Sequence, residues 1–185
     1  SFRTGEAGGA AVAAAAAIGA EVTVFARSHD SLARMRALGA NVTALHSSHS
    51  AIAEALPAAD LVVGAVLIPG ARAPHLVTRD MVRGMRPGAV IVDISIDQGG
   101  CVETIHPTDY RHPTYVEEGV VHFGVTNMPG AVPRTASQAL SGAIAAHVRR
   151  LCEPGWERDP ALQSGINVRA GEFVHPAVAA ALAAA

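Results

Sequence analysis

The chain has 185 residues, 50% of them hydrophobic and 16% charged, with a formal net charge of −2. All 14 of its cations are arginine and none is lysine, which excludes a Schiff-base lysine, a phosphate-loop lysine and a lysine general base, since each needs an ammonium whose pKa can be moved. The length suits one domain of roughly 100–200 residues, and the scattered arginines leave no electrostatic footprint for nucleic acid or an acidic membrane surface. Alanine supplies 38 residues and aromatics only 4%, which predicts closely packed small-residue helices. Cys101 and Cys152 have no CxxC spacing and define no disulfide framework, so a reducing, cytoplasmic setting is expected. No segment reaches the ~20 apolar residues of a membrane span. The apolar stretch Gly8–Ala20 imitates a signal-peptide core, but a strand pattern follows it directly and it reads as a buried helix.

In chain order, an Ala-rich helix is predicted over Gly8–Ile18, then a β-branched strand over Glu21–Ala26. A helix over Asp30–Leu38 follows, with Asp30 where an N-cap belongs and Gly39 where a terminating glycine belongs. Asn41–Leu45 reads as a strand and Ser50–Ala55 as a short helix. Asp60–Val66 is a near-continuous apolar run, as in a strand buried on both faces. A helix over Thr78–Met85 stops at Pro87, and strands follow at Gly88–Ile94 and Val120–Val125. A long helix from about Arg134 to Leu151 leads into a turn-rich connector and a terminal helix, His175–Ala185. Strands alternating with helical segments of about ten residues predict α/β architecture: a doubly wound, Rossmann-like parallel sheet with crossover helices. The predicted division is a dinucleotide-binding domain over 1–151 and a connector with a helix over 152–185.

The opening SFRTGEAGG carries part of a G-x-G-x-x-G loop, in which glycines permit the tight turn, backbone approach to a pyrophosphate and packing of helix on strand. Gly5 and Gly8 have the spacing of the second and third glycines, and the first falls on Arg3. The strand that would deliver this loop is not found ahead of it, so the domain is expected to be incomplete at its N-terminus, as a truncation or as a fragment boundary. After the strand EVTVF, the acidic residue that usually binds a ribose 2′-hydroxyl is replaced by Ala26, followed by Arg27 and Ser28. A guanidinium and a hydroxyl there could bind a 2′-phosphate, hence relaxed or NADP-leaning selectivity; an ordinary solvated arginine fits equally well.

Three later motifs follow strands: AVLIPGARAPHLVTRDMV (65–82), VDISIDQGGCVET (92–104) and TNMPGAVPRTAS (126–137). Ligands of open parallel sheets bind outside the carboxyl ends of strands. Val66, Leu67 and Ile68 there provide an apolar wall for a flat ring, followed by a Pro69-Gly70 turn. Asp97 precedes Gly99-Gly100, and its position alone supports a ligand-facing carboxylate and an Asx-type turn equally. Asn127 and Met128 sit past a strand end, where an amide and a thioether could face a ring or simply shape a loop.

With these motifs the chain resembles the nucleotide-binding half of bacterial alanine dehydrogenases, in the alanine dehydrogenase and pyridine nucleotide transhydrogenase family, over essentially its whole length. The resemblance implies reversible oxidative deamination of L-alanine to pyruvate and ammonium, with hydride passing to NAD. It implies that Ile96 and Asp97 lie beside the nicotinamide and that Asp97 takes part in catalysis. It also implies that Asn127 and Met128 position the ring, that the nucleotide domains join a homo-oligomer, and that an Arg, a Lys and a His on a preceding N-terminal domain handle the amino acid or oxo acid. This chain alone is therefore expected to bind cofactor without completing the reaction. The alternatives are a degenerate, inactive nucleotide-binding or oligomerisation module, and a dehydrogenase for another small amino or imino acid in secondary metabolism. Of the nine histidines, neither His46 with His49 nor His106 with His112 comes with ligands at metal spacing, so no metal site is expected. Cys101, with no cation beside it in sequence, reads as an inert packed thiol.

Overall fold

A computed structural model of the protein describes residues 6–68 and 73–183. Two compact units divide between Thr126 and Asn127, so the long helix groups with the C-terminal segment rather than with the sheet.

In the first unit the predicted alternation is present: α1 (Glu6–Ala17), β1 (Val22–Ala26), α2 (His29–Arg36), β2 (Val42–His46), α3 (His49–Ala55), β3 (Leu61–Gly64), α4 (Arg79–Arg83) and β4 (Val90–Asp93). Next come β5 (Thr114–Glu117) and β6 (Val120–Phe123). β1 and β2 pair in parallel, and a second sheet has the order β3-β4-β6-β5, in which β3, β4 and β6 are parallel. β1 and β3 do not pair with each other, although α1 contacts both. This is the expected Rossmann-like α/β class with one antiparallel addition. β5 joins β6 through Glu118 (φ 51°) and Gly119 (φ 76°), a two-residue turn with both central residues left-handed, the geometry that matches strand twist in a hairpin.

Helix starts follow side-chain chemistry. Ser28, not Asp30, caps α2: its hydroxyl accepts from Ser31 N at 3.3 Å and donates to Ser31 Oγ at 2.8 Å. Asp30 falls in the first turn, where a carboxylate still favours the positive end of the helix. Ser48 and Thr78 cap α3 and α4 in the same way. Asn41, just before β2, donates to Ala16 O and Ala20 O at 3.1 and 2.7 Å, closing carbonyls at the end of α1.

Ile52, Val82, Ile91, Val102 and Val120 belong to the larger core, and Val24, Leu32, Met35 and Ala44 to a smaller one under β1 and β2. A side chain like Ile91, at 0% exposure, contributes about 1.5–3 kcal/mol through burial. The expectation that residues 60–66 form a strand buried on both faces is corrected. β3 ends at Gly64, and Leu61, 56% exposed, and Val63, 38%, point to the same face, which is open, while Val62 packs against the core from the other. Beyond Gly64 the chain leaves the ladder, and Val66 N donates to Ser95 Oγ instead.

The second unit begins at Asn127, whose backbone is left-handed (φ 50°, ψ 51°), a conformation Asn tolerates better than most residues. α5 (Pro133–Leu151) starts with proline at its first position and carries Arg149 and Arg150 in its last turn, both favourable placements. Arg150 pairs with Asp159, the cap of α6 (Pro160–Ser164). The hairpin β7 (Val168–Arg169) and β8 (Glu172–Phe173) and the helix α7 (Pro176–Ala183) complete it. No residue of α5 is buried, and Leu140, Ile144, Val148 and Leu151 form an exposed apolar stripe at helical spacing. No helix among the described residues is long and apolar enough to cross a membrane.

Candidate functional site

Because β3, β4 and β6 run parallel, their carboxyl ends emerge along one edge of the sheet. The segments leaving that edge are 65–68, 94–101 and 124–126, and two of the three sequence motifs supply the first two.

The loop after β4 is organised by Asp93, the last residue of that strand. Its carboxylate is 0% exposed. Ser95 N donates to Oδ1 at 2.8 Å, and Cys101 N and Val102 N donate to Oδ2 at 2.6 and 3.3 Å. The Cys101 thiol adds a longer contact to Oδ1 at 3.6 Å. Residues Ile94–Gln98 make a 3-10 turn, after which Gly99 (φ 91°) and Gly100 (φ 77°) reverse the chain. Those angles suit glycine. At Gly100 a Cβ would also stand 3.1 Å from Asp93 Oδ2.

This loop holds Asp97 exposed and Ile96 buried at 3% exposure. The side chain offered outward is thus Asp97, while Ile96 anchors the turn from within. On the neighbouring strand exit, Val66 is half-buried against the core, with its N–H donating to Ser95 Oγ at 2.7 Å, and Leu67 is 61% exposed. The two exits are therefore stitched together by a hydrogen bond, with an apolar side chain on one and a carboxylate on the other.

Cys101 is 3% exposed, and its thiol is pushed up to about 12, first by burial and then by the Asp93 charge. It stays protonated and serves as a donor, not as a nucleophile. Behind the loop, His122 on β6 is fully buried, its Nε2 2.7 Å from Thr104 Oγ1 and its Nδ1 2.9 Å from Val120 O. The carbonyl can only accept, so Nδ1 carries the proton and Nε2 accepts from Thr104. Burial holds the His122 pKa below its ordinary value, consistent with a neutral ring.

Gly8 is buried in α1, as a glycine in the first turn of a helix lying on a sheet should be. Gly5 and the Pro69-Gly70 turn lie outside the described residues. Arg27 is exposed at the end of β1, and the adjacent Ser28 hydroxyl is engaged in the α2 cap. Asn127 and Met128 belong to the second unit, with Met128 opening a 3-10 turn over 128–131. Among the described residues no group of three or more His, Cys, Asp or Glu is placed to hold a metal. Asp93 and Ser95 were not legible as site residues: Asp93 reads as the last letter of an apolar strand, and its partners lie up to nine positions away.

Parallel strands with crossover helices, a glycine in the first turn of α1 and a carboxylate presented at the carboxyl edge define a Rossmann-like domain. The sequence model described as "Alanine dehydrogenase/PNT, C-terminal domain" matches residues 4–176, and the chain belongs to that family. It is 45% identical over 172 residues to alanine dehydrogenase of Halomonas elongata, covering 89% of this chain and 46% of that protein. A solved L-alanine dehydrogenase superposes with a TM-score of 0.83 at 46% identity, over 97% of this chain and 51% of that one. A transhydrogenase from Sinorhizobium meliloti gives 0.76 at 27% identity, over 95% and 48%. The chain thus spans about half the length of the relatives it matches.

Proposed function

We propose that this chain is the cofactor-binding part of an alanine-dehydrogenase-like oxidoreductase, which together with a substrate-binding part converts L-alanine, NAD+ and water to pyruvate, ammonium, NADH and a proton. The observation that carries this is the stitched pair of strand exits, with Leu67 and Asp97 exposed where ligands of parallel sheets bind. The residues present suit a nicotinamide dinucleotide: Gly8 leaves room for close helix–strand packing, Leu67 offers an apolar face, and the Gly99-Gly100 reversal leaves backbone beside Asp97. When bound, the cofactor supplies hydride transfer. Val66 and Leu67 shape the wall against one face of the ring, Ile96 anchors the loop, and Asp97 orients a group of the substrate or holds a proton near the reacting carbon. Asn127 and Met128, which belong to the second unit, keep the cofactor-binding role that the family resemblance gives them.

The remaining assignments extend this reading. Among the described residues β1 pairs only with β2 and β3 only with β4, which supports a further strand that delivers the glycine loop. The exposed stripe on α5 supports association, with residues 152–185 packing on a substrate-binding part and the whole forming a homo-oligomer in the cytoplasm. Arg27, exposed where β1 ends, is assigned with Ser28 to the 2′ position of the adenosine ribose, so discrimination between NAD and NADP is placed at this pair. An inactive assembly module is the second reading, favoured by the same stripe. The full-length protein should form NADH in an alanine-dependent manner, and Asp97→Asn should lower kcat by about 10²-fold or more. An unchanged rate in that variant overturns the role of Asp97, and no alanine-dependent rate in the wild type favours another small amino acid or the assembly reading.

A further inference from the structure

We infer that Asp93 is a positioning residue, whose buried carboxylate ties both ends of the 94–102 loop together and so fixes where Asp97 stands against the wall at 66–67. The inference rests on the catalytic reading of Asp97 given above.

Burying a carboxylate is costly unless its oxygens are fully engaged. Asp93 is completely buried, and among the described residues no cation is paired with it. Its stabilisation comes from three backbone N–H groups, those of Ser95, Cys101 and Val102, with the Cys101 thiol in longer contact. These donors come from both ends of the loop, one at its start and two at its return. Only a group with two accepting oxygens can serve them all. An asparagine has one, and its NH2 would meet N–H donors on the other side. A plain turn cap needs a single acceptor, so the carboxylate exceeds what capping the 94–98 turn demands.

The second link is Ser95. Its backbone N–H is held by Asp93 Oδ1, and its hydroxyl accepts from Val66 N at 2.7 Å. One carboxylate therefore sets the loop that carries Asp97 and, through Ser95, its spacing from the neighbouring strand exit. Gly64 lets the strands come this close: a Cβ there would stand 2.9 Å from Asp93 Oδ1 and 2.6 Å from Cys101 Sγ. Transfer chemistry is sensitive to such spacing, since a displacement of about 1 Å costs on the order of 10²-fold in rate.

The test is a double-mutant cycle in the full-length protein, read as kcat, KM for alanine and the dissociation constant for NADH, alongside hydrogen exchange at single amides. Asp93→Asn should lower kcat roughly 10- to 100-fold while changing the NADH dissociation constant by less than about threefold. On an Asp97→Asn background the same substitution should have almost no further effect on kcat, because the group it positions is already gone. Exchange at Ser95, Cys101 and Val102 should accelerate at least about tenfold while Ile91 and Val92 stay protected. A kcat within about twofold of wild type, or an equal loss on both backgrounds, overturns the inference. If Asp97→Asn alone keeps the wild-type rate, the catalytic reading fails, and that is seen without any Asp93 variant. Should Asp93→Asn not fold, the wild type decides: its Ser95, Cys101 and Val102 amides must exchange as slowly as those of β4, and fast exchange there overturns the claim.

Discussion

Gly64→Ala puts the tight junction between β3 and the Asp93 loop to a quantitative test. Gly64 pairs with Asp93 in the parallel register, and its backbone has no positive φ, so an alanine there meets no conformational penalty. The penalty is steric: the new Cβ would lie 2.6 Å from Cys101 Sγ, 2.9 Å from Asp93 Oδ1 and 3.0 Å from Asp93 Cγ. None of these atoms is the free end of a flexible side chain, because both groups are buried and hydrogen-bonded. Overpacking of this kind costs about 1–3 kcal/mol. Displacing the carboxylate from one of its N–H donors adds about 1–3 kcal/mol for the group left unsatisfied. The expected loss is therefore roughly 2–6 kcal/mol, and at about 2–4 °C per kcal/mol for a chain of this size the melting temperature falls by roughly 4–24 °C. Urea denaturation followed by circular dichroism measures it. Gly88→Ala is the control, since Gly88 has φ 84° and nothing within 4 Å of an added Cβ: it carries backbone strain of about 1–2 kcal/mol without a clash. Adding Cys101→Ala to Gly64→Ala removes the nearest atom and should recover at least about 1 kcal/mol. A loss below about 1 kcal/mol for Gly64→Ala, or strict additivity with Cys101→Ala, refutes the packing argument.

Two further predictions concern stability. Gly142 lies inside α5 with nothing within 4 Å of an added Cβ, so Gly142→Ala should stabilise the protein by about 0.5–1 kcal/mol, and a loss in the same denaturation assay contradicts the geometry of α5. His122 is held neutral, with its folded pKa below the ordinary 6.5, so the folded state binds fewer protons than the unfolded one just below that pH. Its contribution is intact above about pH 6.5 and is lost as the pH falls from there through the folded pKa. The melting temperature should accordingly decline across this window in the wild type and less steeply in His122→Gln; parallel curves refute it.

Most of the fold was legible because hydrophobic periodicity and turn residues are local signals. The helices and parallel strands of the first unit stand where the alternation predicts, with boundaries displaced by a few residues. Capping moved the start of α2, since Ser28 outcompeted Asp30 by reaching Ser31 N. β3 proved shorter because Val66 N finds its acceptor in a side chain 29 positions away. β5 escaped notice because Pro113 directly precedes it and its four residues acquire meaning only across the Glu118-Gly119 turn. Of the candidate site, the position of Asp97 before Gly99-Gly100 left a ligand-facing carboxylate and a turn residue equally open, and its assigned role came from the family resemblance. Asp93 was not legible, because its role lies in donors gathered from both ends of a loop, and no local pattern records that closure.

In the proposed function, this chain binds a nicotinamide dinucleotide at the carboxyl ends of β3 and β4. Titrating the chain with NADH and following the change in nicotinamide fluorescence tests it most directly. Saturable binding below millimolar concentration, weakened by Leu67→Asp, is the predicted result. No binding at millimolar NADH and NADPH, or binding indifferent to Leu67→Asp, contradicts the account.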